Sequence, residues 1–126
     1  MAAVPDVFIS YSSQDEALAT EVCTTLEPEQ ISCWMAPRDI PLGAHYADSI
    51  MEAIGSARLL VLVASESINH SPHVLREVER ATHRRLPILA LRIRGAIPSG
   101  SLTYFISGSQ WLDLPDGAVG RSKGEL

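Results

Sequence analysis

Residues 59–64 read Leu59-Leu60-Val61-Leu62-Val63-Ala64, an unbroken apolar run between Arg58 and Ser65-Glu66. A strand with one face in water would alternate apolar and polar side chains. This run does not, so it predicts a strand buried on both faces, as central parallel strands are. It is also far too short for a membrane span, which needs about 20 apolar residues.

Upstream, residues 46–57 carry Ala47, Ile50, Met51 and Ile54 at helical spacing, and predict a helix with those four facing inward. Before it, residues 36–45 (APRDIPLGAH), from Ala36 to His45, hold two prolines and a glycine and predict a loop. Residues 31–35 (ISCWM) and 6–10 (DVFIS) are short, apolar and rich in strand formers. Between these two strands, Ser13-Gln14-Asp15-Glu16 has the S-x-x-E form of a capping box. Leu18, Val22 and Leu26 follow on one helix face, and Pro28 ends the helix.

Downstream, residues 65–71 form a polar loop. Ser71-Pro72 then places a cap and a first-turn proline before a helix to about Arg85, with Val74, Leu75, Val78 and Ala81 as its core stripe. Residues 88–93 (ILALRI) and 110–114 (QWLDL) supply a fourth and a fifth strand. Residues 95–108 are rich in Gly, Pro and Ser, with an apolar island at Leu102, Tyr104, Phe105 and Ile106. Strands alternating with helices imply right-handed crossovers and helices on both faces of a parallel sheet. The expected fold is α/β: a flavodoxin-like three-layer sandwich around a five-stranded parallel sheet of order 2-1-3-4-5. The domain is expected over residues 1–114. Residues 115–126 are polar and Gly-rich and read as a linker or tail to a further domain.

The bulk numbers agree with one domain: 126 residues, 46% hydrophobic, 20% charged. Ten basic against fifteen acidic residues give a formal charge of −5, which argues against a nucleic-acid partner. Arg76, Arg80, Arg84 and Arg85 are interrupted by Glu77 and Glu79 and read as a solvated helix face. Cys23 and Cys33 lack metal-ligand spacing and read as buried free thiols. With no signal pattern and no membrane-length run, the expected location is the cytoplasm. His45, His70 and His83 show no metal spacing and are expected at the surface; no metal site is expected.

In open parallel sheets, ligands bind beyond the carboxyl ends of the strands where chain order reverses, here between the first and third strands. The loops at that point are Tyr11-Ser12-Ser13 and residues 65–71. A phosphoacceptor receiver would need acidic residues after the first strand and an aspartate ending the third. These places hold Ser10-Tyr11-Ser12 and Ala64-Ser65. The first loop has hydroxyls but none of the glycines of a flavin-phosphate wrap, and no G-x-G-x-x-G loop is present.

Three stretches in order bear a resemblance to one family. DVFISYSSQD (6–15) resembles the first sequence box of TIR domains. CWMAPRDIPLG (33–43) resembles their second box, an Arg-Asp pair before a Pro-x-Gly turn. SPHVLREVERA (71–81) resembles the stretch in which enzymatic members carry a glutamate. The resemblance covers about residues 5–114. It implies one of two activities: a scaffold that only assembles with other TIR domains, or an NAD-cleaving enzyme of the bacterial type, acting in immune defence or signalling. The enzyme releases nicotinamide and leaves ADP-ribose, linear or cyclic, with NAD+ as substrate and no further cofactor. The family's glutamate corresponds to Glu77. The position four residues earlier, commonly tryptophan, is His73 here.

The chemistry suits a single carboxylate. Nicotinamide in NAD+ is already a cationic leaving group, so positive charge develops on the ribose and one carboxylate can stabilise it. Glu77 shares a helix face with His73 and Val74, which borders the apolar stripe; the alternative is a surface glutamate paired with Arg80. Tyr11 and Ser12 either contact a nucleotide or simply shape the turn. Arg38 and Asp39 either pair with each other and order their loop or bind a ligand phosphate. Gly43 serves backbone geometry, and Trp34 and Trp111 belong to the core. The resemblance further implies that the Ala36–His45 loop packs against a neighbouring TIR domain and that activity requires oligomerisation.

Overall fold

The computed structural model describes residues 5–114, so the expected tail at 115–126 lies outside the described residues. The central run becomes β3 (Leu59–Ala64), and successive residues supply opposite faces of the sheet. Leu60, Leu62 and Ala64 enter one apolar cluster, and Val61 and Val63 enter the other. All five are at most 1% exposed, which is why no polar residue could alternate with them.

β3 lies between β1 (Val7–Ser10) and β4 (Ile88–Ile93). β2 (Cys33–Trp34) and β5 (Gln110–Leu114) form the edges. Every pairing is parallel and the order is β2-β1-β3-β4-β5, as expected. α1 (Glu16–Leu26) packs Ala19, Val22, Cys23 and Leu26 against one face. α2 (Tyr46–Ser56), α3 (Pro72–His83) and α4 (Gly100–Ile106) cover the other. α3 begins as its sequence requires: Pro72 opens it, and Ser71 Oγ accepts a hydrogen bond from the Val74 amide at 3.3 Å.

Several local expectations are corrected. Ser13–Asp15 form a 3₁₀ turn ahead of α1, without the expected capping-box bond. Asp15 turns inward and accepts a hydrogen bond from Ser65 Oγ, so a tertiary contact replaces the local cap. Residues 66–70, expected as loop, form a 3₁₀ helix, because Ser65 Oγ accepts the Ser67 amide at 3.1 Å and caps it. α4 arises inside the Gly/Pro/Ser-rich segment because Leu102 and Ile106, four apart, bury together. Beyond α1, a 3₁₀ turn (Glu27–Glu29) carries the chain past Pro28 to Gln30, whose φ of 68° is left-handed. Along α2 only Ala53 and Ile54 are buried. Ile50 is half-buried, and Ala47 and Met51 stay exposed.

Cys23 and Cys33 are free and buried. Trp34 stacks on Phe8 with ring centroids 5.3 Å apart, and Trp111 lies under the Arg92 guanidinium at 4.6 Å; both indoles are half-buried against the core. Truncating the central strand should be costly. Leu62→Ala removes a fully enclosed side chain from the sheet's middle and should lower unfolding free energy by about 2–5 kcal/mol. Urea denaturation with an unchanged slope is the check; a loss well under 1 kcal/mol would mean the two-face packing is not what holds β3.

Candidate functional site

α3 carries Glu77 across the carboxyl end of β1. There Ser10, fully buried as the last residue of that strand, donates its hydroxyl to Glu77 Oε1 at 2.7 Å. The expected alternative, a surface pair with Arg80, does not form: neither Arg76 nor Arg80 has an ion pair among the described residues. Burial pushes the Glu77 carboxyl up to about 7 from an ordinary 4.5, and the Ser10 hydroxyl pulls the other way. Desolvation dominates because one neutral donor replaces the hydration shell of a charged group.

A cleft of about 150 Å³ opens in front of this carboxylate. Tyr11 and Glu16 wall it on the β1 side, Ala36 and Pro37 at the loop base, and Tyr46 and His73 at the mouth. Tyr11 is half-buried and donates its hydroxyl to the Ala36 carbonyl, so it ties the loop to the switch point. Its phenol is pushed up to about 12 by burial and by the nearby charges of Glu16, Tyr46 and Glu77, and stays protonated as that donor. The Tyr46 and His73 rings stand 6.5 Å apart at 58°. His73 is exposed and also borders two adjoining clefts. One, of about 330 Å³, is lined by Ser12, Ser13, Ser67 and Ser71; the other, of about 450 Å³, runs between α2 and α3.

Glu77, Tyr11, Ser12 and His73 thus gather around connected clefts, although Ser12 borders only the serine-lined one. Arg38 and Asp39 do not join them. The Arg38 fork engages Glu27 at 2.9 and 3.2 Å, its Nε donates to Asp39 at 2.9 Å, and another donor reaches the Cys33 carbonyl at 2.8 Å. Asp39 also accepts the Met35 amide at 2.9 Å. The pair therefore orders the loop and fastens it to the end of α1, the first of the two roles its sequence allowed. Gly43 takes φ 82°, consistent with a backbone role. Among the described residues no cluster of metal-ligating side chains occurs. No helix among them is long and apolar enough to cross a membrane.

Ser10, Glu16 and Tyr46 were not singled out by sequence. Ser10 had a readable signal: a hydroxyl at an inward position of a buried strand needs a partner. Tyr46 and Glu16 had none, because the position of one helix start relative to another is set by tertiary packing.

The raised Glu77 carboxyl carries a stability cost with a definite sign. Its protonated form is favoured in the fold, so its contribution is complete below about pH 4.5 and is lost as pH rises through about 7. Glu77→Gln keeps an acceptor for Ser10 without the charge. It should be more stable than wild type at pH 8 by roughly 2–3 kcal/mol, with the gap closing toward pH 4. Denaturant melts at the two pH values measure this; a less stable glutamine variant at pH 8 would show that the carboxylate is not desolvated.

The sequence model of the TIR domain family matches residues 7–124. Among similar solved structures is the TIR domain of the Toll-related receptor TRR-2 from Hydra magnipapillata. It has TM-score 0.75 and 20% identity, over 96% of this chain and 93% of that one. Another is the Clostridium botulinum CMP N-glycosidase BcmB, with TM-score 0.67 and 15% identity, over 95% and 98%. A third is the TIR-domain portion of the activated Roq1 resistosome, which recognises the pathogen effector XopQ. It has TM-score 0.63 and 22% identity over 71% of this chain, and the match spans 57% of that chain. At these identities the structures speak for the fold, and the family match covers most of the sequence: the chain belongs to the TIR domain family.

Proposed function

We propose that this chain is an NAD+ glycohydrolase that breaks the nicotinamide–ribose bond, with Glu77 as its catalytic carboxylate. The observation that carries the reading is the partly buried Glu77 side chain, held by Ser10 at the carboxyl end of β1 and facing a cleft at the switch point. The reading is supported by a protein of similar fold, the CMP N-glycosidase BcmB, whose name gives it cleavage of an N-glycosidic bond.

In the proposed reaction the bond between ribose C1′ and the pyridinium nitrogen breaks. Nicotinamide leaves with the bonding electron pair as a neutral molecule, so no general acid is needed. Positive charge appears on the ribose. Ionised Glu77 stabilises it, or holds the ribose hydroxyls so that the ring is oriented for departure. Water then adds at C1′, loses a proton and gives ADP-ribose; attack by the adenine ring instead gives the cyclic product. No cofactor beyond NAD+ as substrate enters. The 150 Å³ cleft is smaller than the roughly 300–1,000 Å³ of a site for a whole drug-sized ligand, so it suits only the nicotinamide end.

The Ala36–His45 loop is the proposed contact to another TIR domain. Leu42 at its tip is fully exposed between Pro41 and Gly43, and Ala36 and Pro37 at its base wall the cleft. Packing of the tip against a second copy would therefore act on the site through the loop. The same exposed leucine favours a second reading, a non-catalytic scaffold that recruits TIR domains and never cleaves NAD+. The cytoplasm, where NAD+ is abundant, is the proposed location.

Two outcomes are expected. Glu77→Gln should reduce nicotinamide release by at least about 100-fold, the usual scale for a preorganised electrostatic group. Wild-type activity should climb from about pH 6 to about pH 8 as the carboxyl, held near 7, ionises. Equal activity in the two proteins rejects the catalytic role and leaves the scaffold. Secondly, specific activity should rise with protein concentration, and Leu42→Asp should flatten that rise while its circular dichroism stays native. Full turnover by dilute, demonstrably monomeric protein would rule out activation by assembly.

A further inference from the structure

The groove between α2 and α3 is the larger of the two clefts that Glu77 lines, at about 450 Å³, and the proposed chemistry leaves it unused. α2 gives it an apolar floor of Tyr46, Ile50, Met51 and Ile54, and α3 gives it Arg76 and Arg80 along one wall. Tyr46 is 50% exposed and Met51 47%, so this apolar surface is open to a ligand. Tyr46, His73 and Glu77 line both the groove and the 150 Å³ cleft, which makes the two spaces continuous past the carboxylate.

We propose that this groove binds the adenosine-diphosphate half of a dinucleotide, an assignment that rests on the reading of NAD+ as substrate. A dinucleotide whose nicotinamide end occupies the small cleft must leave it either toward the serine-lined cleft or toward the groove. Charge decides between them. The serine-lined cleft offers hydroxyls and His70 but no arginine or lysine, and Glu66 adds a negative charge. The groove offers two guanidinium groups four residues apart, one helical turn, and neither forms an ion pair among the described residues. Glu79 also borders the groove, and with ionised Glu77 the two carboxylates balance the two guanidinium groups, so the groove is neutral where the serine-lined cleft keeps the negative charge of Glu66. Arginine suits phosphate oxygens because it can donate two parallel hydrogen bonds. The purine would lie on the Ile50, Met51 and Ile54 floor with the Tyr46 ring beside it, since an aromatic base gains from apolar and π contacts.

The test uses ADP, which contains no nicotinamide bond, so binding is read independently of cleavage. Isothermal titration of the wild-type chain with ADP should show one site. Arg80→Glu and Met51→Glu, both at exposed positions, should each weaken it by at least about tenfold, whereas Ser67→Asp in the serine-lined cleft should not. Absence of ADP binding by wild type at millimolar concentration overturns the proposal. So does unchanged binding in both groove variants, or loss confined to Ser67→Asp. If Met51→Glu lowers only self-association, the groove belongs to a second copy and the proposal also falls. The two readings fail separately. NAD+ cleavage abolished by Glu77→Gln, with ADP binding indifferent to the groove, removes the subsite and keeps the hydrolase. ADP held in the groove, with cleavage indifferent to Glu77, does the reverse.

Discussion

The hydroxyl of Ser10 and the carboxylate of Glu77 meet at 2.7 Å, and much of the site follows from that contact. It joins the last residue of β1 to the second turn of α3, elements that only the parallel β1–β3 pairing brings together. The sheet supplies the depth: Ser10 is buried because β1 lies between β2 and β3 with helices over both faces. The helix supplies the direction: Ser71 and Pro72 set its start, and Val74, Val78 and Ala81 fix its rotation against the sheet. With rotation fixed, Glu77 cannot swing out to water without leaving its donor. The small cleft in front of it is bounded by Tyr11, by Ala36 and Pro37 of the loop, and by the starts of α2 and α3.

A second constraint is the way the first residues of the Ala36–His45 loop are fastened from two sides. Arg38 holds Glu27, Asp39 and the Cys33 carbonyl, and Asp39 holds the Met35 amide, so the base of the loop is bound to α1 and β2. Tyr11 holds the Ala36 carbonyl from the opposite side. The tip carrying Leu42 is left projecting. The Arg-Asp pair thus serves the site indirectly. It sets where the cleft wall stands rather than touching what enters the cleft. Each of these ion pairs is partly solvated and worth little alone. Their combined effect is geometric, because several bonds converge on one short stretch of backbone.

Much of this fold was readable before the structure. The Leu59–Ala64 run fixed a central strand, and the caps and stripes of residues 71–81 placed α3 correctly. What was not readable was decided by contacts between distant segments. Asp15 had a local use as part of a capping box and was taken instead by Ser65, fifty positions away. The α4 segment has loop composition, and two buried aliphatic residues outweigh it. Ala47 and Met51 fit the periodicity of a buried stripe, but α2 buries side chains only toward its own C-terminal end, at Ala53 and Ile54, where the Arg84 guanidinium donates to the Ile54 carbonyl at 3.1 Å. Between that end and the Tyr46–His73 ring contact at its start, α2 stands off α3, and the groove is the result. Glu77 was placed on the right helix and beside the right residues, but its depth came only from the buried serine.

The arrangement at Glu77 also bears on which family activity it serves. A scaffold needs a stable surface, and a glutamate on its outside would be hydrated and near its ordinary pKa. Here the carboxyl is pushed to about 7, and each unit of that shift is worth about 1.4 kcal/mol against the charged form in the fold. One hydroxyl does not offset that much desolvation, and Arg80, close enough in sequence to neutralise it, does not pair with it. A carboxylate largely desolvated and short of partners is poorly suited to holding a protein together. It is well suited to meeting a positive charge that arises only during a reaction, because the stabilisation withheld in the resting site becomes available when that charge appears. His73 in the usual tryptophan position does not remove this logic. Its ring stands 6.5 Å from that of Tyr46, and both line the cleft that Glu77 faces, so aromatic surface lies beside the carboxylate.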